Sequence, residues 1–215
     1  MAGTITKLAF QKGHRQRVSV YLDGRYAFGL PDIEAAKLRP GQFLSDAEIA
    51  RLRELDARQQ AYERVLRLLA HRPRSEAEVR RYLEGKDMPP DAVEQVLERL
   101  RREGYLDDAA FVRFWVENRE RFRPRGPWAL RQELQRKGVA QPLIEEALAG
   151  VDSEESAYRA ARRRLRRWSG LAYDDFRRAV GSYLARRGFD YDLISDVVEQ
   201  LWKETGRQAD EETEI

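Results

Sequence analysis

Leu130-x-x-x-Leu134-x-x-Lys137 decides how this chain folds, because the chain spells it three times. Val79-x-x-x-Leu83-x-x-Lys86 precedes it and Val180-x-x-x-Leu184-x-x-Arg187 follows it, at spacings of 50 to 51 residues. Behind each copy a second apolar set keeps step. Met88, Val93, Val96 and Leu97 are matched by Val139, Ile144, Ala147 and Leu148, then by Phe189, Ile194, Val197 and Val198. Repeats of this length are single supersecondary units that bury apolar faces partly on one another. The expected fold is therefore mainly α: three tandem three-helix repeats in an extended array, which presents surfaces for binding rather than a deep catalytic pocket.

Working outward, Tyr62, Val65, Leu66 and Leu69 fall on one helical stripe that opens the first repeat, and His71-Arg72-Pro73 ends it. Ser75-x-x-Glu78 has the capping-box spelling for the next helix, and Asp91-x-x-Glu94 is read as the cap of the third. Gly104 stops that helix and Asp107 caps the one that opens the second repeat. Gly126-Pro127 starts its middle helix sharply, since proline at the first helical position has no amide to leave unpaired. Lys137-Gly138 is the matching stop. The third repeat is read as helices over Arg159 to Trp168, Tyr173 to Arg187 and Tyr191 to Lys203.

The first residues differ in kind. Ile5 to Phe10, Arg17 to Leu22 and Arg25 to Leu30 are β-rich runs, with Gly13-His14 and Asp23-Gly24 between them. Asp-Gly between alternating runs signals a two-residue hairpin whose central residues both take φ > 0. These runs predict a small antiparallel β-meander, closed by Pro31 and leaning on the helices that follow. Ser45-x-x-Glu48 opens the first of these, through Ile49, Leu52 and Leu55. The expected divisions are 1–57 for the meander and its helices, 58–106, 107–152 and 153–207 for the repeats, and 208–215 for a disordered acidic tail.

Of the 215 residues, 36% are charged, with a net charge of only +3. The charge is uneven: residues 159–207 hold 12 basic and 7 acidic side chains, and the tail from Gln208 holds 4 acids and no base. There are no cysteines, which excludes disulfides, thiolate chemistry and cysteine zinc sites. No apolar run is long enough to cross a membrane, and a cytoplasmic protein without membrane contact is expected. His14 and His71 sit in no catalytic or metal spacing, and no nucleophile stands beside a base in a known signature. The chain is read as no enzyme, with no cofactor and no metal. Asp107-Asp108 and Asp174-Asp175 are read as helix-start residues rather than metal-ready pairs, and Phe111, Phe114, Trp115, Trp128 and Trp168 as core rather than base-stacking platforms.

The arginines remain. Arg119, Arg121, Arg123 and Arg125 crowd the approach to Gly126-Pro127, and Arg159, Arg162, Arg163, Arg164, Arg166 and Arg167 load one expected helix almost without acids. A solvated helix face normally mixes signs. This one suits either an ordinary solvated face or an acidic partner, which is nucleic acid or a protein that carries it.

Three motifs in order resemble the RecX family of recombinase regulators: Arg74-Ser75-x-x-Glu78-x-x-x-Tyr82-Leu83, Gly104-Tyr105-Leu106-Asp107-Asp108-x-x-Phe111, and Gly126-Pro127-x-x-Leu130-x-x-Glu133-Leu134-x-x-Lys137-Gly138-Val139. The opening, with Val20-Tyr21-Leu22-Asp23-Gly24 and Phe28-Gly29-Leu30, resembles the N-terminal extension of some members. The resemblance implies a non-enzymatic modulator of RecA, expected as an inhibitor. Such a protein binds along the groove of the RecA–DNA filament and alters recombinase, ATPase and co-protease activity in homologous recombination, DNA repair and the SOS response. Most motif residues are explained by caps, stops and core, so binding is placed on the arginines beside them: Arg72, Arg74, Arg119, Arg121, Arg123, Arg125, Arg159, Arg162, Arg163 and Arg166. The alternative is an autonomous binder of single- or double-stranded DNA built from helix-turn-helix-like units. A structural adaptor without DNA is a third reading.

Overall fold

The computed structural model describes residues 1–205, so the acidic tail expected at 208–215 lies outside the described residues. The chain divides into two compact units: Met1–Arg72 with Val79–Tyr105, and Pro73–Glu78 with the residues from Leu106 onward. Among the described residues no helix is long and apolar enough to cross a membrane.

The first unit opens with β1 (Gly3–Gln11), β2 (His14–Leu22) and β3 (Arg25–Pro31), followed by the short α1 (Asp32–Ala35). The hairpin between β2 and β3 is as the sequence predicts: Asp23 has φ 47° and Gly24 φ 83°. A fourth strand, β4 (Phe43–Leu44), pairs with Gly3 and Thr4 and completes the antiparallel order β3-β2-β1-β4. The sequence reading missed β4, because two residues ahead of a helix cap carry no alternation to detect. The inner face of the sheet (Ile5, Val20, Leu30 and Leu44) closes over Ile49 and Leu52 of α2 (Asp46–His71).

Helix α2 begins with the expected capping box, in which Ser45 N donates to Glu48 Oε2 at 2.8 Å and Glu48 N to Ser45 Oγ at 3.3 Å. It then runs unbroken for 26 residues, so the two helical stretches read on either side of residue 57 are one helix. No glycine or proline interrupts it, and its buried stripe passes from Ile49 and Leu52 to Ala61, Tyr62 and Val65. The Arg17–Asp56 ion pair, 2.8 Å and largely buried, ties β2 to its middle. Its second half faces α4 (Pro90–Arg102): Arg99 donates to Gln59 at 2.8 Å, and the Tyr62 hydroxyl donates to Glu103. Between them runs α3 (Glu76–Glu84). The cap assigned to Asp91 is corrected. Pro90, with its preset φ, is the first helical residue, so Asp91 falls in the first turn of α4, and Glu94 pairs instead with Arg80 and Arg101.

The second unit holds α5 (Asp108–Phe122), α6 (Pro127–Arg136), α7 (Gln141–Ala149), α8 (Ser153–Arg162), α9 (Tyr173–Ala185) and α10 (Tyr191–Glu204). Asp107 caps α5 through Ala110 N at 2.9 Å. One expectation fails in α8. The helix read over Arg159 to Trp168 starts earlier, at an Asp152 cap, and ends at Arg162; Leu165–Arg167 form a single 3-10 turn. The unwinding turns Trp168 into the core, where its ring meets Tyr183 edge-on at 5.4 Å. It also breaks the i, i+4 stacking of like charges that a longer helix would impose.

The repeat is visible in burial. Val79, Leu130 and Val180 are each 0% exposed, and Leu83, Leu134 and Leu184 no more than 1%. After each Lys86, Lys137 or Arg187 comes one left-handed residue: Asp87 at φ 56°, Gly138 at 77° and Gly188 at 82°. That conformation suits glycine and strains aspartate. Asp87→Gly is therefore expected to leave stability unchanged or raise it by under about 1 kcal/mol. Gly188→Ala adds backbone strain and a Cβ only 2.7 Å from Ala129 N, and should cost about 3 kcal/mol. Urea denaturation of both variants checks the pair.

Candidate arginine interface

The site grows from a joint that the second unit makes twice. At the first, the N-terminus of α3 meets the C-terminal end of α6: Ser75 Oγ donates to Lys137 O at 2.6 Å, and Lys137 Nζ pairs with Glu78 at 3.1 Å. At the second, the N-terminus of α6 meets the C-terminal end of α9: Gly126 N donates to Arg187 O at 2.9 Å. Ser75 and Gly126 hold the same place in the repeat, as do Lys137 and Arg187. A helix end with unused carbonyls is thus closed by the residue that starts another helix, through the Ser75 hydroxyl at the first joint and the Gly126 backbone amide at the second. The second joint is the tighter one, since a Cβ on Gly126 would lie 2.0 Å from Gly188 O.

The two joints differ in charge. Where the first has Glu78, the repeat places Ala129 in the second, so Arg187 meets no carboxylate there. Its guanidinium donates instead to Pro124 O at 2.8 Å and lies 4.6 Å from the centre of the Tyr183 ring. Burial above all, against the opposing influence of Tyr183, holds Arg187 below the ordinary arginine range, with the positive charges of Arg125, Arg164 and Arg123 adding to the effect. Arg164 stacks on the same ring at 5.1 Å. Arg163 closes the end of α5, donating to Phe122 O at 3.2 Å and to Arg121 O at 2.9 Å. The segment 121–126 is thereby fastened by backbone carbonyls to two arginines of the third repeat, with Arg121 and Arg123 exposed on it.

The ten arginines read from the sequence fall into distinct roles. Arg119 is a brace: it donates to Glu133 at 2.7 Å and lies 4.2 Å over Trp115, whose Nε1 donates to the same carboxylate. Arg159 is another, bound to Glu120 at 2.7 Å. Arg125 reaches Glu133 at 3.6 Å and stays partly open. Arg121, Arg123, Arg162, Arg163 and Arg166 are exposed and meet no carboxylate at ion-pair distance among the described residues. Arg162 rests on Tyr158, donating to its hydroxyl at 2.8 Å. Arg74 is half-buried, with its Nε lacking a hydrogen-bond partner. Arg72 ends α2 in the first unit.

Arg164 and Arg187 belong to the cluster and were not among the ten. The signal was available, since aligning the repeats shows Ala129 where Glu78 stands. Trp128 and Phe114, read as core, are 61% and 38% exposed, because the inward stripe of α5 is Phe111, Val112 and Val116, and that of α6 is Ala129, Leu130 and Leu134. The aspartate pairs serve helix starts: Asp107 caps α5, Asp108 accepts from Glu76 N at 2.8 Å, and Asp174 and Asp175 lie in the first turn of α9. No group of acids and histidines able to hold a metal ion occurs among the described residues. What the arrangement offers is a fixed, acid-poor set of guanidinium donors, suited to phosphates or carboxylates of a partner.

Like charges that meet no acid contribute nothing to the fold, whereas a guanidinium on helix-end carbonyls does. Arg123→Gln should leave the urea midpoint unchanged or slightly raised, and Arg163→Ala should lower stability by about 1 kcal/mol.

Residues 3–42 match the family model described as the regulatory protein RecX N-terminal domain, and residues 61–100, 107–148 and 152–198 match the first, second and third three-helix domains of RecX. The regulatory protein RecX of Bacillus licheniformis is 31% identical over 214 residues, covering 97% of this chain and 81% of the relative. That of Lactobacillus delbrueckii subsp. bulgaricus is 34% identical over 215 residues, covering 98% and 78%. A crystal structure of regulatory protein RecX superposes with a TM-score of 0.72 at 27% identity, over 92% of this chain and 99% of the other. RecX from Lactobacillus salivarius shares the fold, with a TM-score of 0.60 at 23% identity over 68% of this chain and 97% of the other.

Proposed function

The chain belongs to the RecX family, and from that premise we propose that it modulates RecA, without catalysis of its own and with inhibitory sign, by binding along the groove of the RecA–DNA filament. The observation that carries this reading is the arginine cluster at the second joint. Arg121 and Arg123, on the segment held by Arg163 and Arg187, and Arg164, on the Tyr183 ring, are exposed and meet no acid at ion-pair distance among the described residues, as do Arg162 and Arg166 elsewhere in the third repeat. Such a surface needs an acidic partner to offset its self-repulsion. A filament presents both nucleic-acid phosphate and protein acids at regular intervals, and a repeated reader engages several at once. In this proposal Arg119 and Arg159 support the surface rather than touch the partner. Arg125 and Arg163 do both. The same acid-poor surface also suits phosphate directly, so autonomous DNA binding is the second reading.

The test is RecA-catalysed, single-stranded-DNA-dependent ATP hydrolysis with the protein added below one copy per RecA. Wild type should depress the rate, and the Arg121→Glu, Arg123→Glu, Arg166→Glu triple variant should lose most of that effect while melting at the wild-type temperature. A triple variant as inhibitory as wild type would remove the cluster from the mechanism. No effect of wild type on RecA, beside tight and salt-sensitive DNA binding, would favour the second reading.

A further inference from the structure

The N-terminal sheet has an inner face spent on the core and an outer face that the repeats' chemistry does not account for. Its strand register aligns Lys7 with Tyr21 and Tyr21 with Tyr26, one cross-strand row over β1, β2 and β3. The two tyrosine rings meet edge-on, with centroids 6.0 Å apart and planes at 80°, and Lys7 Nζ lies 5.6 Å over the Tyr21 ring. Tyr26 is 60% exposed, well beyond what a packing role requires. The next row of the register is Ala9, Ser19 and Gly29, none with a side chain tall enough to cover the rings. Beside it Gln11 Nε2, Arg17 Nη2 and the Tyr26 hydroxyl gather over Gly29, at 2.8, 3.0 and 3.8 Å from where its Cβ would be. Residues 5–22 contain Lys7, Lys12, Arg15 and Arg17 and no aspartate or glutamate; Arg17 is engaged by Asp56 of α2, which leaves Lys7 as the basic side chain beside the rings.

We propose that this outer face is a binding platform for single-stranded nucleic acid, in which Tyr26, braced by Tyr21, stacks on an unpaired base and Lys7 holds an adjoining phosphate. Open sheet faces that pair exposed aromatic rings with basic side chains take unstacked bases, because every base offers a π-face and the backbone offers the charge. A duplex keeps its bases stacked on one another and has none to offer. An acidic protein surface would satisfy Lys7 but would leave the exposed ring of Tyr26 without a reason, so nucleic acid is the occupant the row fits. The site stands on residues of the first unit alone and does not depend on the RecA reading.

The experiment measures fluorescence anisotropy of a labelled oligothymidine with the full chain and no RecA, across a salt series, beside a duplex of equal length. Tyr26→Ala should weaken oligothymidine binding about tenfold and leave duplex binding unchanged. Tyr26→Phe, which keeps the ring, should bind as wild type does. Lys7→Gln should lower the slope of log affinity against log salt by about 0.7. Both residues are exposed, and far-UV circular dichroism confirms that the variants fold. The proposal is overturned if wild type does not bind the oligothymidine, or if Tyr26→Ala binds it as tightly as wild type. It is equally overturned if Tyr26→Ala keeps that affinity and loses only its effect on RecA, which would make the face a protein contact. Because RecA is absent from the binding assay, failure here and failure of the filament reading are separate results.

Discussion

Everything in the second unit is arranged around one contact, the closure of a middle helix's last carbonyls by the first donors of the middle helix before it in sequence. Both ends of a helix carry backbone groups that the helix itself cannot satisfy. Here α6 is closed by Ser75 and α9 by Gly126, so the repeats use each other as caps. The contact demands close approach, and this explains the small residues at it. Gly138 faces Ala77, and Gly188 faces Ala129 with Gly126 beside it, each too close for a further methyl group. The left-handed turns at Gly138 and Gly188 stand immediately after the carbonyls so closed.

From that contact follows the distribution of charge. At the first joint the basic residue is answered: Lys137 meets Glu78 and lies over Trp115 at 4.1 Å. At the second, an alanine stands in the acid's place, and Arg187 turns to a carbonyl and a tyrosine ring. Carbonyls orient a guanidinium without neutralising it. Arg163 and Arg187 are therefore held in place with no carboxylate opposite them, and Arg121 and Arg123 ride on the segment they fasten. Positional order and uncancelled charge, usually in opposition on a protein surface, coexist here because the ordering groups are backbone dipoles.

The sequence made the repeat, its caps and its stops legible, since these depend on residue types at fixed spacing: Ser75 with Glu78, Pro127 after Gly126, Gly138 after Lys137. It was legible to a lesser degree where a tertiary demand outweighed a local one. The helix expected to end at Trp168 stops at Arg162 because Trp168 is needed in the core, and nothing local to residues 162–168 says so. Strand β4 exists only through its partner, β1. The arginines were readable as a group but not by role. Whether Arg119 braces Glu133 or faces solvent depends on a residue 14 positions away on the next helix. Arg187 differs from its repeat counterpart Lys137 through Ala129, which stands where Glu78 answers the lysine.

The unbroken α2 has a mechanical meaning. At about 1.5 Å per residue its 26 residues form a beam of about 39 Å. One end is clamped under the sheet by Ile49, Leu52 and the Arg17–Asp56 pair, and the other carries Tyr62 and Val65 into the first repeat. The sheet and the first repeat are thus two loads on one girder, and a force applied at either end is delivered to the other without a hinge to absorb it.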